Sequence, residues 1–146
     1  MAAAVQRPSA RTIAIADAAL VALIALAVAV TFGPWLRTGT AHRTSYQVVQ
    51  SADRLEVLGG GPEVWLRAAW SFLPFVAVVA VLAVLTQRRR VAAALAVVVG
   101  LVEAIFGGLV TRSPRSADWG ASGGLAFGSV LVVVALATAW ITRSAR

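Results

Sequence analysis

The chain has 146 residues, of which 60% are hydrophobic and 13% are charged, and its mean hydropathy is +0.84. Soluble domains carry about 45–50% apolar and about 25% charged residues, so this composition excludes an ordinary soluble globular domain and a disordered chain. The formal net charge is +7, all 13 basic residues are arginine, and no cysteine is present, which excludes disulfides and thiolate sites within the chain.

Four long apolar segments each meet the ~20 residues that a membrane-spanning helix needs. They cover residues 12–32, 68–86, 91–110 and 121–142, and together they hold over half of the chain. The second and third are separated only by residues 87–90, so we expect them to form a hairpin of neighbouring helices. The sequence therefore predicts an all-α membrane protein, with residues 1–146 forming a single antiparallel bundle of four transmembrane helices.

The distribution of arginine predicts the orientation of this bundle. With both termini in the cytoplasm, that side holds seven arginines and no acidic residue, whereas the other side holds six arginines and four acidic residues. The compact loop of Arg88, Arg89 and Arg90 decides the choice, because short arginine-rich loops stay in the cytoplasm. We therefore expect a multi-pass protein of the inner (plasma) membrane with cytoplasmic N- and C-termini. Attraction of an anionic lipid such as cardiolipin is a second interpretation of this loop.

The first span carries Asp17 in its first turns, where a carboxylate meets the positive end of the helix dipole. Arg11 or one of Arg88–Arg90 is its expected partner, in a structural role. A cleaved signal peptide that ends at Ala27-Val28-Ala29 is the alternative interpretation of this segment. Its apolar run is longer than the usual apolar core of a signal peptide, which favours a retained span.

Residues 33–67 form a sizeable loop on the outer side in this orientation. Thr44 and Gln47 have capping-box spacing, and apolar residues at helical spacing follow them. The sequence predicts a short amphipathic helix over residues 44–58 that lies on the membrane surface or covers the bundle. A strand over residues 45–49 is the structural alternative, and binding of a partner protein is the functional alternative.

Glu103 lies thirteen residues into the third span, about 19 Å from its cytoplasmic end at 1.5 Å per residue. A carboxylate at this depth costs ~2.5 kcal/mol or more unless it is paired or protonated, so acidic residues within a membrane are functional candidates. A structural ion pair or hydrogen bond is the leading interpretation, and proton or ion handling is the alternative. The candidate partners of Glu103 within the chain are Arg67, Arg112, Tyr46 and His42. An arginine of a larger partner protein is a further candidate.

Small residues recur every four positions in the last two spans, where they let helix backbones approach closely. They are Gly100, Ala104, Gly108, Gly120, Gly124 and Gly128. This spacing predicts a helix-packing seam. A seam inside the chain is the simpler interpretation, and a seam against another chain is the alternative.

All five tryptophans fall near the predicted ends of the spans, namely Trp35, Trp65, Trp70, Trp119 and Trp140. Tryptophan is enriched at both membrane–water interfaces. The positions therefore predict an interfacial belt of membrane anchors, and stacking on a ligand is the alternative.

Sequence patterns of catalysis and of nucleic-acid binding are missing. His42 is the only histidine and lies in the outer loop, so we expect no two-histidine haem ligation, no histidine-rich metal site and no histidine-based catalytic triad within this chain. Gly59-Gly60-Gly61 lacks the lysine of a phosphate-binding loop. The arginines are divided between two membrane faces, so nucleic-acid binding is not expected. We expect no enzymatic activity, no cofactor and no metal.

One segment, residues 32–39, reads FGPWLRTG and is followed by RTSY at residues 43–46. In this segment and in its four-span topology, the chain resembles uncharacterised actinobacterial four-span membrane proteins, including the group loosely called tryptophan-associated membrane proteins. The topological likeness covers most of the chain. That group has no settled activity, so the resemblance implies a topology and an actinobacterial source and no function.

The helix-packing faces, without a catalytic constellation, favour a non-catalytic accessory or assembly subunit of a larger inner-membrane complex, respiratory or transport. Its expected partners are the lipid bilayer and other membrane-protein subunits. The alternative hypothesis is a small transporter, channel or lipid-handling homo-oligomer that uses Glu103.

Overall fold

The computed structural model describes residues 9–54, 62–112 and 117–144, and it describes side chains for residues 9–51, 68–112 and 117–143. Five helices and two strands follow one another in these ranges. They are α1 (Ala10–Thr31), β1 (Pro34–Thr38), β2 (Ala41–Thr44), α2 (Ser45–Arg54), α3 (Pro62–Leu85), α4 (Arg89–Thr111) and α5 (Trp119–Ser144).

Four of these helices, α1, α3, α4 and α5, are long and apolar enough to cross a membrane. The prediction of a helical, multi-pass membrane protein with four spanning helices is confirmed at this level. Each helix begins two to six residues before its predicted span and ends within two residues of the predicted end. In α3 the extension reaches Pro62, which suits the first turn of a helix because proline has no backbone N–H to leave unpaired.

The four long helices pack side by side in the order α1, α5, α4, α3, and α3 closes the ring against α1. Their inward faces carry many small residues, including Ala27, Ala77, Ala96 and Ala135. Their outward faces carry large exposed apolar side chains. Small residues inside and bulky apolar residues outside are typical of helices that pack within lipid.

Strands β1 and β2 form an antiparallel hairpin that the sequence patterns did not predict. Gly39, the first of its two turn residues, has a φ of +63°, a region in which glycine meets no steric penalty. Leu36 also forms a bridge with Ala117, and the N–H of Asp118 donates to the carbonyl of Trp35 at 3.0 Å. The hairpin is therefore attached to the start of α5. We call this end of the bundle the hairpin end.

Helix α2 follows the hairpin directly. The Thr44 N–H donates to Gln47 Oε1 at 3.0 Å, and the Gln47 N–H donates to Thr44 Oγ1 at 3.5 Å, which is the reciprocal pair of a capping box. Residues 45–49 are helical and not a strand. The prediction of a helix covered residues 44–58, and positions 55–58 lie outside the described residues.

The opposite end of the bundle holds the short connection between α3 and α4 and the start of α1. Residues 87–90 lie here, and we call it the arginine end. Only three residues, 86–88, separate the two helices. A connection this short keeps α3 and α4 in direct contact.

Candidate functional site

Three aromatic side chains from three elements form a buried cluster beneath the hairpin. Trp35 of β1 and Trp70 of α3 have ring centroids 5.3 Å apart with planes at 77°, and Phe106 of α4 lies 4.4 Å from Trp70 and 5.4 Å from Trp35. Both tryptophans are at most 1% exposed. Offset and edge-to-face pairs of this kind add stability beyond area burial. The aromatic cluster therefore ties the hairpin to two spanning helices.

Hydrogen bonds from Trp35 and Ser45 reach the last carbonyls of α1, and Trp70 donates to Ser45. Trp35 Nε1 donates to the carbonyl of Val30 at 2.8 Å. Trp70 Nε1 donates to Ser45 Oγ at 3.1 Å, and Ser45 Oγ donates to the carbonyl of Thr31. The last carbonyls of a helix have no partner inside that helix. The loop supplies these partners from within the protein core.

The structure places the tryptophans differently from a uniform interfacial belt. Trp35 and Trp70 are buried in the core. Their indole N–H groups donate hydrogen bonds to the end of α1 and to α2, so neither polar group is left unpaired. Trp119 and Trp140 are exposed near the two ends of α5, where the anchoring role stays a prediction. The side chain of Trp65 lies outside the described residues.

Glu103 is fully buried, with 0% of its surface exposed, one helical turn from Phe106 toward the arginine end. Among the described residues, neither of its carboxylate oxygens has a hydrogen-bond partner. Its Cβ lies 3.1 Å from the position that a Cβ on Gly128 would take. The side chain is therefore enclosed at the contact between α4 and α5.

The structure does not bring the predicted partners to Glu103. His42 is engaged with Asp118, and Arg112 is exposed at the end of α4. The hydroxyl of Tyr46 is buried and, within the described part of the chain, has no partner either. The side chain of Arg67 lies outside the described residues. The ion pair or hydrogen bond expected for Glu103 is therefore absent from the described side chains.

The predicted seam of small residues is divided between two contacts. Gly100 and Gly128 bring the backbones of α4 and α5 together, since a Cβ on either would lie 2.6 Å from the other's carbonyl oxygen. The position of that Cβ on Gly128 is also 2.7 Å from the Ala104 nitrogen. Gly120 and Gly124 instead face the hairpin.

Those two glycines make room for β1. A Cβ on Gly120 would overlap the Pro34 carbonyl, and a Cβ on Gly124 would overlap the six-membered ring of Trp35. The sequence pattern assigned both to a helix–helix seam because it contained no sign that a strand would cross α5.

Gly107, which the four-residue spacing omitted, belongs to the contact between α4 and α5. A Cβ there would lie 2.6 Å from the carbonyl oxygen of Ala121, whereas one on Gly108 would meet only Leu125 Cδ1 at 3.7 Å. The buried face of α4 therefore follows Gly100, Glu103 and Gly107. The signal that could have found it was the seven-residue spacing of the two glycines, with the acid on the same face.

A partly exposed hydrogen bond between His42 and Asp118 fastens the hairpin to α5. His42 Nδ1 lies 2.6 Å from Asp118 Oδ2, and the Trp119 N–H donates to Asp118 Oδ1 at 2.8 Å. That backbone hydrogen bond and, next, the one with the His42 ring lower the pKa of Asp118 below its usual value. Sequence reasoning missed this pair, because its two members are separated by 76 positions.

At the arginine end, Arg89 binds Asp17 of α1. Its Nε donates to the two carboxylate oxygens at 3.1 and 2.9 Å, and its Nη2 lies 2.9 Å from Oδ2 and also donates to Gln87 Oε1. The pairing expected for Asp17 is thus present. Arg88 and Arg90 flank it and are exposed.

The described residues contain no group of three or more histidine, aspartate or glutamate side chains that could hold a metal ion. The candidate sites are therefore the enclosed carboxyl group of Glu103 and the guanidinium groups of residues 88–90 at the arginine end.

Comparison of the chain with protein-family models, with curated proteins and with solved structures finds no match in any of the three.

Proposed function

We propose that the protein is a non-catalytic accessory subunit of a larger inner-membrane complex, respiratory or transport, in an actinobacterial membrane. In this proposal the four long helices run antiparallel as one bundle, and both termini lie in the cytoplasm. The arginine end then faces the cytoplasm, as the positive-inside rule favours. The hairpin and the amphipathic helix α2 cover the outer end.

The exposed face of α3 is the observation that carries this proposal. Large apolar side chains stand along it at Phe72, Phe75, Val78, Leu82 and Leu85, and the two phenylalanines are 63% and 67% exposed. The last four follow spacings of three, four and three residues, so they form one continuous row on one face of the helix. We name this row the α3 ridge.

An apolar groove runs beside the α3 ridge, between α3 and α1. It has a volume of about 390 Å³ and is lined on the α3 side by Pro74, Val78 and Leu82 and on the α1 side by Ile24 and Val28. A ridge next to a groove is the surface that a second helix occupies by interdigitation. The occupant we propose is a transmembrane helix of another subunit.

Site-directed photo-crosslinking tests this assignment. A photoreactive amino acid replaces Phe75 on the α3 ridge in one variant, and Val133, 65% exposed on α5, in a matched control. Both are irradiated in native membranes. We expect Phe75 to crosslink to a second membrane protein and Val133 to crosslink to lipid. Recovery of the chain as a lone monomer in mild detergent, with lipid adducts from both positions, would contradict the proposal.

A small transporter, channel or lipid-handling homo-oligomer is the second candidate, and the burial of Glu103 favours it. Both carboxylate oxygens lack partners among the described residues, and an unpaired carboxylate in the hydrocarbon region costs several kcal/mol. A proton or cation at this position would remove that cost. Since the side chain is enclosed, passage would require the contact between α4 and α5 to open.

Flux measurements in proteoliposomes separate this candidate from the first. Glu103→Gln removes the ionisable group and keeps the shape, and Thr138→Val is the control at a second buried polar position. If the second candidate is correct, the glutamine variant loses proton flux driven by a potassium gradient and the valine variant retains it. Equal flux in wild type and Glu103→Gln would dismiss the transport function.

A further inference from the structure

A cavity at the arginine end is lined by three of the long helices, α1, α4 and α5, and by the connection between α3 and α4. Its volume is about 440 Å³, and its walls are Ile13 of α1, residues 87–88 after α3, residues 89–91 of α4 and Thr142 of α5. Volumes of this size accept small molecules. The cavity combines three arginines with apolar walls, at the level where the membrane-spanning helices end.

One residue that lines the cavity, Gln87, has an uncommon backbone conformation at the end of α3. The N–H groups of Arg88 and Gln87 donate to the carbonyls of Ala83 and Val84 at 2.7 and 2.9 Å, which is a Schellman motif at the end of α3. Gln87 has a φ of +60°, where glycine is usual. Its side chain accepts a hydrogen bond from Arg89, so glutamine supplies an orienting contact that glycine lacks.

The charges around the cavity are only partly compensated. Asp17 neutralises Arg89, and it is the one acidic side chain that the structure describes at this end. The guanidinium groups of Arg88 and Arg90 have no hydrogen-bond or ion-pair partner among the described side chains. Two positive charges therefore remain available to an anion, beside a third guanidinium that is held in place.

We infer that this cavity binds the phosphate group of an anionic phospholipid. A planar guanidinium group can donate two parallel hydrogen bonds to two oxygens of one phosphate. Basic pockets between transmembrane helices bind anionic lipid headgroups. Ile13 and Val91 provide apolar wall for the glycerol backbone and the first acyl carbons. These apolar walls favour a lipid over a free phosphate ion, which would use only the guanidinium groups.

Native mass spectrometry of the full chain tests the inference. The protein is released from nanodiscs that contain phosphatidylglycerol and phosphatidylcholine in equal amounts, and the retained lipids are counted. We expect the wild type to retain phosphatidylglycerol preferentially. The double variant Arg88→Gln/Arg90→Gln is expected to lower that preference about thirtyfold, the loss typical of two arginines near a charged lipid.

The matched control is Arg37→Gln/Arg112→Gln, which removes two exposed arginines from the hairpin end and changes the net charge equally. Preference kept in this control supports a site at the arginine end, whereas equal loss in both double variants would overturn it. Inorganic phosphate and glycerol 3-phosphate at millimolar concentration form a second arm. Retention of the lipid in their presence supports a lipid site, and its displacement would overturn the lipid assignment.

Discussion

The two ends of the helical bundle are held by different kinds of interaction. At the hairpin end, Trp35 and Trp70 are buried, and neutral hydrogen bonds from Trp35 and Ser45 join the loop to the last carbonyls of α1. At the arginine end, the Arg89–Asp17 ion pair joins α4 to α1 beside an open cavity. Buried aromatic surface stabilises strongly and excludes water, whereas partly exposed ion pairs stabilise weakly and leave charge accessible. We therefore expect the hairpin end to contribute more to stability, whereas the arginine end leaves charge accessible.

Truncation of the aromatic cluster is the most severe test of this contrast. Trp35→Ala is expected to lower the free energy of unfolding by about 3–5 kcal/mol, because it leaves a cavity between β1, α3 and α4. Denaturation in mixed detergent micelles measures the loss. The control is Trp119→Ala, an exposed position, with an expected change within about 0.5 kcal/mol. Equal effects of the two changes would show that the hairpin does not stabilise the bundle.

A smaller effect is expected when the hairpin is pushed away from α5. In Gly124→Ala the new Cβ overlaps the ring of Trp35, and overpacking of this kind costs about 1–3 kcal/mol. Gly108→Ala is the control, because its Cβ meets only Leu125 Cδ1 at 3.7 Å. The same denaturation assay should find that control neutral or slightly stabilising, since alanine favours helix more than glycine does. A neutral Gly124→Ala would contradict the close contact.

At the arginine end the expected loss is smaller again. Asp17→Asn should lower the free energy of unfolding by about 1 kcal/mol, because Arg89 keeps its hydrogen bond to Gln87 and part of its solvation. A double-mutant cycle with Arg89→Gln isolates the pair, and a cycle with Arg88→Gln is the control. A coupling as large for Arg88 as for Arg89 would count against the observed pairing.

The smallest effect is expected from the partly exposed pair of His42 and Asp118. Because the folded protein lowers the pKa of Asp118, this group contributes stability above its ordinary pKa, and the contribution is lost as the pH falls through the lower folded value. Unfolding measured from neutral to acid pH should therefore show a decline below about pH 4. In Asp118→Asn that decline should be shallower, and an unchanged profile would refute the coupling.

Much of the fold follows from local features of the sequence. The four apolar runs locate α1, α3, α4 and α5, because the length and polarity of a segment decide whether it can span a membrane. The capping-box spacing of Thr44 and Gln47 marks the start of α2 for a similar reason, since its hydrogen bonds join neighbours in the chain.

The candidate sites depend on contacts that no local pattern contains. The belt prediction treated all tryptophans alike, yet Trp35 and Trp70 are buried because a hairpin places one indole against the other across 35 positions. The four-residue pattern of small residues also omitted Gly107, and the tertiary structure shows its close contact with Ala121 of α5.

By itself, the sequence determined the number of spanning helices, their bounds to within a few residues, and the uneven distribution of arginine. Only the tertiary structure decided which arginine binds Asp17, which aromatic residues form the core, and that Glu103 is enclosed without a partner among the described side chains. The physical reason is the range of the interactions. Helix formation and membrane insertion depend on consecutive residues, whereas burial and pairing depend on which distant surfaces the bundle brings together.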